Sequence, residues 1–280
     1  MAPHFGPSIR FYKAHGCGND FVAIDNRELA LPVEKMPEWA RKICQRAFGV
    51  YADGLFFLEN APAGEPVDYR WHFYNSDGSR AEMCGNASRC AARLAYELGI
   101  APAEHTLGTD AGPVHARVFP DSGQVEVQLM PAIDMKLNLE IEAEGKTLHA
   151  HFVTAGVPHA VVYCDPVGEV DIKKMGPALR YHNAFAPEGA NANFVQVKDK
   201  NHLLLRTYER GVEAETYACG TGACAAAFIS RALGLTDESV IVTTTGGEQL
   251  TVTAANGRLL LQGGAEIVFS GELYLNALGL

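Results

Sequence analysis

The sequence is short of positive charge and has no long apolar run, and both shortages exclude broad classes of protein. Its 280 residues carry 23 Lys and Arg against 33 Asp and Glu, which gives a formal net charge of −10 at pH 7. Without a basic stripe, neither nucleic acid nor an anionic membrane surface is an expected partner. The apolar run from Ala223 to Ile229 is too short to span a bilayer. The first ten residues contain no apolar run, so no signal peptide is expected.

Cysteine is present, but it lacks the arrangements that build disulfide scaffolds or metal sites. The seven cysteines are an odd number and include no Cys-x-x-Cys pair. Cys84 and Cys90, like Cys219 and Cys224, are spaced so that they do not share a helix face as metal ligands would. We therefore expect no metal site and a reducing, cytoplasmic setting.

The sequence does contain one pattern written twice. Cys84-Gly85-Asn86 follows a predicted strand and precedes a predicted helix, and Cys219-Gly220-Thr221 does the same 135 positions later. The second helix is nearly all apolar, which indicates that it is buried. A repeat of this length sets the architecture and predicts two similar halves, residues 1–131 and 132–280. The tail, residues 266–280, is a candidate to cross back to the first half.

A cysteine at a helix start is well placed for acid–base chemistry. Unpaired backbone N–H groups and a partial positive charge favour the thiolate there and can also hold an anion. Inverting a carbon that bears hydrogen needs a base on one face and an acid on the other, which Cys84 and Cys219 could supply. The alternative is that each is an ordinary packed residue, since cysteine is often buried. The repeated context favours the functional interpretation, except for Cys90 and Cys224 inside the helices.

Motifs over nearly the whole chain resemble those of the diaminopimelate epimerase family. They are His15-Gly-Cys-Gly-Asn19-Asp-Phe-Val, Ala52-Asp53-Gly54, Tyr74-Asn75-Ser-Asp-Gly, Met83-Cys84-Gly85-Asn86, Pro158-His159, Asn191-Ala-Asn-Phe, Glu209-Arg210-Gly211 and Ala218-Cys219-Gly220-Thr221-Gly222. The resemblance implies an α/β (α+β) fold of two similar domains, each a mostly antiparallel sheet wrapped around a central buried helix. It also implies epimerisation of LL-diaminopimelate to meso-diaminopimelate in lysine and peptidoglycan biosynthesis, without a cofactor, by a homodimer.

The resemblance further implies a role for each motif residue. Cys84 and Cys219 would be the acid–base pair, and His159 and Glu209 would assist proton movement at the thiols. The residues that would bind the reacting carboxylate are Gly85, Asn86, Gly220 and Thr221. Those that would hold the substrate, mainly its distal end, are Asn19, Asn75, Asn191 and Arg210, with Glu209 contacting an amino group.

These roles suit a substrate with two zwitterionic ends, because amides and one bidentate arginine can hold such groups. Each residue also has a plainer interpretation. The three asparagines could be turn or loop residues. Glu209 and Arg210 could be a solvated strand end, and His159 could be a structural histidine.

Two positions depart from the family pattern. Val157 stands where Asn is frequent before Pro-His, which puts one substrate contact in question. Tyr51 stands where Gly is common, and it could reshape a neighbouring loop. Neither position touches the cysteine pair.

Three other functions stay open on the sequence alone. A related two-cysteine racemase would act on proline or hydroxyproline, although the Asn19, Asn191 and Glu209-Arg210 set favours a longer substrate. A hydrolase with one cysteine nucleophile and His159 would leave the second cysteine motif unexplained. A binding protein on the same fold would keep its function when both thiols are removed.

Overall fold

The computed structural model describes residues 6–255 and 258–280, and the chain divides into two units. Unit 1 runs up to Val127 and also includes Gly264–Leu280, and unit 2 is Gln128–Gly263. The predicted seam between residues 131 and 132 falls shortly after this boundary, and the tail groups with unit 1. Residues 1–5 of the predicted first half and 256–257 of the second lie outside the described residues.

Unit 1 is a mostly antiparallel sheet with one long helix. Its strands are β1 (Ser8–Gly16), β2 (Asn19–Asp25), β3 (Gly54–Asn60), β4 (Tyr69–Asn75), β5 (Glu104–Thr109), β6 (Gly112–Phe119), β7 (Gln124–Leu129), which runs past the boundary, and β17 (Glu266–Tyr274). Its helices are α1 (Asn26–Leu29), α2 (Met36–Ile43), α3 (Gly85–Glu97) and α6 (Leu275–Leu278). The pairs β2–β3 and β4–β5 are parallel, and β17–β1, β1–β2, β3–β4, β5–β6 and β6–β7 are antiparallel.

Unit 2 repeats this order of pairings. Its strands are β8 (Ile133–Ala143), β9 (Lys146–Ala155), β10 (Val157–Tyr163), β11 (Asn191–Asp199), β12 (His202–Glu209), β13 (Ala214–Thr216), β14 (Ser239–Thr243), β15 (Gln249–Ala255) and β16 (Arg258–Gly264), and its helices are α4 (Ile172–Arg180) and α5 (Gly220–Ala232). Here β10–β11 and β12–β14 are parallel, and β8–β9, β9–β10, β11–β12, β14–β15 and β15–β16 are antiparallel. Short β13 pairs with β12 as an addition to the common plan.

Each unit folds its sheet around one buried helix. Helices α3 and α5 are 13 residues long, and their first residues are Gly85 and Gly220. In unit 1, α3 contacts β1, β2, β3, β5, β6 and β17, and in unit 2, α5 contacts β9, β10, β11, β12, β14 and β15. Small residues such as Ala91 and Ala226, both fully buried, let the strands approach closely. The predicted fold of two similar α/β units is confirmed.

The predicted elements differ from the structure where a strand is polar or exposed. The predictions omitted β5, β8 and β13, because β5 is polar and β8 carries few buried side chains to mark its pattern. The sequence predicts a helix over 37–48, with Pro37 near its first turn, whereas α2 ends earlier, at Ile43. In the part of the chain that the structure describes, none of the helices has the length and apolarity needed to cross a membrane.

Tyr51 adopts a left-handed backbone conformation, with φ at 63°. In this conformation a Cβ atom crowds the following carbonyl oxygen, whereas glycine adopts it without that steric cost. The side chain is 56% exposed and gains little from packing, although the Arg46 guanidinium lies 6.0 Å from the ring centroid. Glycine would therefore adopt this backbone conformation at lower cost than tyrosine.

Replacing Tyr51 by glycine is expected to raise the free energy of unfolding by up to about 1 kcal/mol. The left-handed cost of roughly 1–2 kcal/mol exceeds the roughly 0.5–1 kcal/mol lost to the flexibility of glycine in the unfolded chain. Urea denaturation measures the change. The control is Phe48→Gly, at a neighbouring exposed aromatic whose φ is not positive, which should lower stability. A Tyr51→Gly variant less stable than the parent would show that the ring contacts outweigh the strain.

Candidate active site

Cys84 lies at the start of the buried helix of unit 1. It is the N-cap residue of α3, with an extended backbone at φ −144° and ψ 124°. Its side chain is half-buried, and Gly85 and Asn86 in the first helical turn are buried. The first backbone N–H groups of a helix have no acceptor within the helix, so this turn can bind an anion such as a carboxylate.

Asn19 and Asn86 meet beside Cys84. Asn86 Nδ2 donates to Asn19 Oδ1 at 3.2 Å, and Cys84 Sγ lies 3.9 Å from the same oxygen. Asn19 Nδ2 donates to Asp53 Oδ2 at 2.7 Å. A carboxylate only accepts hydrogen bonds, so Asp53 fixes which way the Asn19 amide points. The structure therefore brings three predicted site residues together, and Asp53 supports them.

Arg89, which none of the sequence motifs indicated, also holds Asn86 in place. It is fully buried in α3, and its Nη2 donates to Asn86 Oδ1 at 2.9 Å. Its Nη1 donates to the Gly85 carbonyl at 3.3 Å and its Nε to the Gly264 carbonyl at 3.5 Å. The Asn86 amide is thus held on both sides, by Arg89 and Asn19. The signal available in the sequence was an arginine placed next to the small apolar run Cys90-Ala91-Ala92 of a predicted buried helix.

Asn75 lies in a turn of unit 1. It is the last residue of β4 and is exposed. Its Nδ2 donates to Ser79 Oγ at 2.9 Å, and its backbone N–H donates to the Ser79 carbonyl at 2.9 Å. These hydrogen bonds stay within the turn, so Asn75 helps to form the turn between β4 and Ser79.

Cys219 has the equivalent place in unit 2. It is the N-cap residue of α5, extended at φ −117° and ψ 107°, and only 6% exposed. Its Sγ lies 3.5 Å from Thr221 Oγ1, and Gly220 beside it is buried. A Cβ atom on Gly222 would stand 2.5 Å from Asn193 Oδ1 and 3.3 Å from Cys219 Cβ. Glycine is therefore required where the first turn of α5 meets β11.

Asn191, Glu209 and Arg210 come together at one end of the β11–β12 hairpin. Asn191 begins β11 and Glu209 ends β12, and the Arg210 backbone N–H donates to Asn191 Oδ1 at 2.7 Å. Arg210 Nη1 donates to the Glu188 carbonyl at 3.4 Å. Burial raises the pKa of the Glu209 carboxyl above its ordinary value. Glu209 is thus partly desolvated and does not have the environment of a fully solvated strand end.

His159 lies in a buried polar group within unit 2. Its side chain is fully buried, and its Nδ1 is 3.1 Å from Asn193 Nδ2. Thr207 Oγ1 donates to Asn193 Oδ1 at 2.9 Å. Burial lowers the pKa of His159 to about 3, with the charge of Arg210 as a second cause. His159 is therefore neutral at physiological pH. Asn193 was missed as a functional candidate, although it stands two residues from Asn191 on the same face of a strand.

The polar groups near the two cysteines differ between the units. Unit 1 offers one thiol with asparagine amides, and unit 2 offers one thiol with a carboxyl, a guanidinium and a neutral imidazole. In residues 6–255 and 258–280, no group of three His, Cys, Asp or Glu side chains is arranged to hold a metal ion. The thiols, the Glu209 carboxyl and the helix starts are groups that can support proton transfer and anion binding.

Comparison with protein families shows one match over most of the chain. Residues 11–133 and 151–268 match the family model described as diaminopimelate epimerase. A relative from Hydrogenobaculum sp. (strain Y04AAS1), named diaminopimelate epimerase, is 43% identical over 270 residues, covering 93% of this chain and 97% of that one. A second, from Aquifex aeolicus (strain VF5) and with the same name, is 42% identical over 275 residues, covering 95% and 98%.

Solved structures show the same fold at low sequence identity. A Bacillus anthracis phenazine biosynthesis protein of the PhzF family matches with a TM-score of 0.73 at 16% identity, covering 95% of this chain and 99% of that one. A probable proline racemase from Agrobacterium radiobacter K84 matches with a TM-score of 0.71 at 17% identity, covering 95% and 92%. These likenesses support the fold alone.

Glu209→Gln is expected to raise the melting temperature at pH 7. Because burial raises the Glu209 pKa, the folded state favours the neutral carboxyl, and holding the carboxylate above pH 4.5 weakens the fold. The advantage of glutamine should shrink as pH falls through the raised pKa and vanish below 4.5, where the carboxyl is neutral in both states. Thermal unfolding at pH 7 and about pH 4 measures both effects.

The matched control is Glu215→Gln on neighbouring β13. A hydrogen bond from Arg206 lowers the pKa of Glu215, with Arg206 Nε 2.8 Å from Glu215 Oε1. Its carboxylate therefore stabilises the fold above its ordinary pKa, and the glutamine variant should melt lower at pH 7. Equal melting temperatures for Glu209→Gln and the parent at pH 7 would contradict the costly burial of the Glu209 carboxylate.

Proposed function

The chain belongs to the diaminopimelate epimerase family, and we propose that it interconverts LL- and meso-diaminopimelate with two thiols as acid and base, a step in lysine and peptidoglycan biosynthesis. The observation that carries the proposal is the repeated placement of Cys84 and Cys219. Each is the extended N-cap residue of the one helix around which its unit folds. Packing can account for one such cysteine, whereas two at equivalent positions of a repeat suit a reaction with two equivalent halves.

In the proposed reaction, one cysteine is a thiolate and takes the α-proton from one face of the carbon. The other is a thiol and delivers its proton to the opposite face, so an S–H bond forms on one cysteine as another breaks. In the reverse direction, the roles of Cys84 and Cys219 exchange. The mechanism requires both thiols to reach the same α-carbon.

Removing an α-proton leaves negative charge that spreads into the adjacent carboxylate. The backbone N–H groups of Gly85, Asn86, Gly220 and Thr221 belong to the first turns of α3 and α5 and have no acceptor within their helices. We assign the reacting carboxylate to these groups, because hydrogen bonds to it strengthen as the charge develops.

The remaining candidates are assigned to the rest of the substrate. The Arg210 guanidinium can grip the distal carboxylate in two places. The amides of Asn19, Asn75 and Asn191 supply hydrogen bonds, and Glu209 pairs with an ammonium group. The hairpin-end cluster of Asn191, Glu209 and Arg210 supports this division, since a carboxyl and a guanidinium on consecutive residues offer the two charges that an amino-acid end requires. The assignment of Asn75 rests on the family resemblance.

The competing functions have less support. The structural neighbour with proline racemase in its name is 17% identical to this chain, and a likeness at that level shows the fold alone. The relatives named diaminopimelate epimerase reach 43% and 42% identity over nearly the whole chain. A hydrolase with one cysteine nucleophile would use only one of the two equivalent helix starts. Turnover of proline but not of LL-diaminopimelate would reverse this ranking.

We further propose that the enzyme is a cytoplasmic homodimer. The support for a dimer is the exposed apolar surface of β17, where Val268 is 58% and Phe269 is 48% exposed. The support for the location is a cysteine pattern without disulfide spacing. Sedimentation of the purified chain should give twice the mass of one chain, and Val268→Glu should shift it toward the monomer. Monomeric wild-type protein would contradict the dimer, and cell fractionation tests the location.

Cys84→Ser and Cys219→Ser are each expected to lower epimerisation by roughly 10²–10⁴-fold with the fold intact. Serine is close in size to cysteine, but its hydroxyl is a far weaker acid. The assay is incubation with LL-diaminopimelate in deuterium oxide, following meso product and α-deuterium. The matched control is Cys90→Ala, in the same helix as Cys84, where burial raises the thiol pKa to about 12. That control should retain epimerase activity.

The stereochemistry of the single serine variants provides a sharper test. Each keeps one thiol, so each should remove the α-proton only from the stereoisomer that presents hydrogen to that thiol. Elimination from a β-halogenated analogue needs only this half of the chemistry, and halide release reports it. The two variants should therefore process opposite stereoisomers. If one variant processed both isomers and the other neither, a one-base mechanism would replace the two-thiol mechanism.

A further inference from the structure

Unit 2 holds three buried polar side chains at positions where unit 1 holds three aromatic rings. The parallel ladders match, since Phe21 pairs with Gly54 in β2–β3 and His159 pairs with Asn191 in β10–β11. The antiparallel ladders match as well, with Phe56 opposite Phe73 and Asn193 opposite Thr207. The equivalent pairs are therefore Phe21 and His159, Phe56 and Asn193, and Phe73 and Thr207.

The aromatic residues of unit 1 show that the shared arrangement of strands does not need polar side chains at these three positions. In unit 1, Phe21 packs against Phe56 and Phe73 with ring centroids 6.3 and 5.8 Å apart. In unit 2, His159 and Asn193 are fully buried and Thr207 is 2% exposed. Burying polar groups weakens a fold unless each finds a hydrogen-bond partner. Their presence in one repeat only therefore indicates a requirement other than packing.

The hydrogen bonds of Asn193 fix the orientation of its amide. Its Nδ2 donates to the Ala160 carbonyl at 3.0 Å and to the Asn191 carbonyl at 3.1 Å, and its Oδ1 accepts from Thr207 Oγ1. A rotated amide would place its oxygen against two carbonyl oxygens, which only accept. Nδ2 is therefore the atom that faces His159.

This orientation determines the tautomer of His159. The two hydrogens of Nδ2 serve the two carbonyls and can be shared with His159 Nδ1, 3.1 Å away, but an amide nitrogen does not accept a hydrogen bond. A proton on Nδ1 would therefore have no acceptor there, so Nδ1 carries a lone pair and the proton of the neutral ring is on Nε2. Nε2 is buried and has no hydrogen-bond partner among the described residues. Buried donors in proteins are rarely left unpaired, so this N–H is available to an acceptor that a ligand or a reacting group supplies.

The side chains of Asn193 and Thr207 lie next to the first turn of α5. A Cβ on Gly222 would touch Asn193 Oδ1, Thr207 Oγ1 and Cys219 Cβ, at 2.5, 3.2 and 3.3 Å. The positive charge of Arg210 also acts on His159. Asn193, on the neighbouring strand β11, therefore faces the His159 ring, and Arg210 is the charged residue that helps to lower the His159 pKa.

We propose that Asn193, anchored by Thr207, is a positioning residue that fixes His159 as the neutral Nε2–H tautomer. In this form His159 donates a hydrogen bond to an anionic acceptor in the site and does not act as a general base. The role that we assign to this hydrogen bond rests on the proposed epimerase function. The tautomer itself follows from the hydrogen bonds of Asn193.

Nitrogen-15 NMR of histidine-labelled, full-length protein tests the tautomer, with His159→Gln to assign the signal among the 10 histidines. The expected spectrum shows an unprotonated Nδ1 and a protonated Nε2, unchanged over roughly pH 5 to 8. A proton on Nδ1, or titration of His159 within that range, would overturn the proposal. The measurement needs no substrate.

Thr207→Val and Thr207→Ser form a matched pair that tests the anchor. Valine removes the hydroxyl that holds Asn193 Oδ1, so the amide can rotate and part of His159 should carry its proton on Nδ1. We expect kcat to fall about 10–100-fold, with a smaller change in KM, as for other residues that orient a functional group. Serine keeps the hydroxyl and should restore both the spectrum and kcat.

Asn193→Asp should move the His159 proton in the same direction as Thr207→Val, by a different cause. An aspartate oxygen facing Nδ1 would accept a hydrogen bond, so the proton of His159 should move to Nδ1 and its pKa should rise. If this variant fails to fold, the Thr207 pair still decides the question. A Thr207→Val variant that lost activity with an unchanged spectrum would show a merely structural role. A changed tautomer with unchanged kcat would equally overturn the proposal.

The two proposals fail in different ways. Wild-type protein with the expected spectrum but no conversion of LL-diaminopimelate would contradict the proposed function and would not affect the tautomer assignment. Wild-type protein that epimerises the substrate but has its His159 proton on Nδ1 would sink the positioning role of Asn193 alone.

Discussion

Each unit depends on a helix that is surrounded by its own sheet and begins inside it. The first backbone N–H groups of such a helix need hydrogen-bond acceptors other than bulk water. A serine, threonine, aspartate or asparagine side chain at the N-cap usually accepts from one of them. Here the N-cap residues are Cys84 and Cys219, and neither side chain makes the cap hydrogen bond. Replacing a good cap costs typically about 1 kcal/mol. Two equivalent helices give up this stabilisation at the same position, and the donors stay available to a bound anion.

The repeat provides an internal comparison that a single domain would lack. Both units share the order of strand pairings and the length of the central helix, so their differences mark what the frame does not require. In unit 1 the core beside the helix is aromatic, and its polar side chains gather at Cys84 through Asn19, Asn86 and Arg89. In unit 2 the polar group lies deeper, between the strands and the first turn of α5. The two thiols therefore have different surroundings despite their equivalent positions.

The sequence was sufficient for the features that depend on local pattern. The two cysteines, their helices and the doubled architecture follow from a motif repeated at a fixed offset, and a repeat constrains the whole fold. The strands β5 and β8 were missed because a polar or exposed strand does not show an alternating apolar pattern. Arg89 and Asn193 were missed for another reason. Their roles depend on partners such as Gly264 and Thr207, and strand register and helix packing determine those contacts.

The backbone conformation of Tyr51 gives a physical reason why glycine would suit this position. A glycine preference in a loop can reflect close approach of another group or a positive φ, and the sequence alone does not separate the two. The structure shows a positive φ and an exposed ring, so tyrosine is accommodated sterically and the cost lies in the backbone.

Several buried polar groups lie beside the two helix starts, and their placement links stability to function. Arg89, His159 and Asn193 are fully buried, and Glu209 is desolvated enough to raise its pKa, whereas the other core residues beside α3 and α5 are largely apolar. Apolar side chains could fill these places, since the aromatic cluster of unit 1 does so on the same frame. Protein sites that bind charged ligands commonly accept such a cost, because the groups that recognise the ligand must already be in place before it binds. Arg89 and Asn193 thus hold buried polar groups in place beside the cysteine-bearing helix starts before any ligand binds.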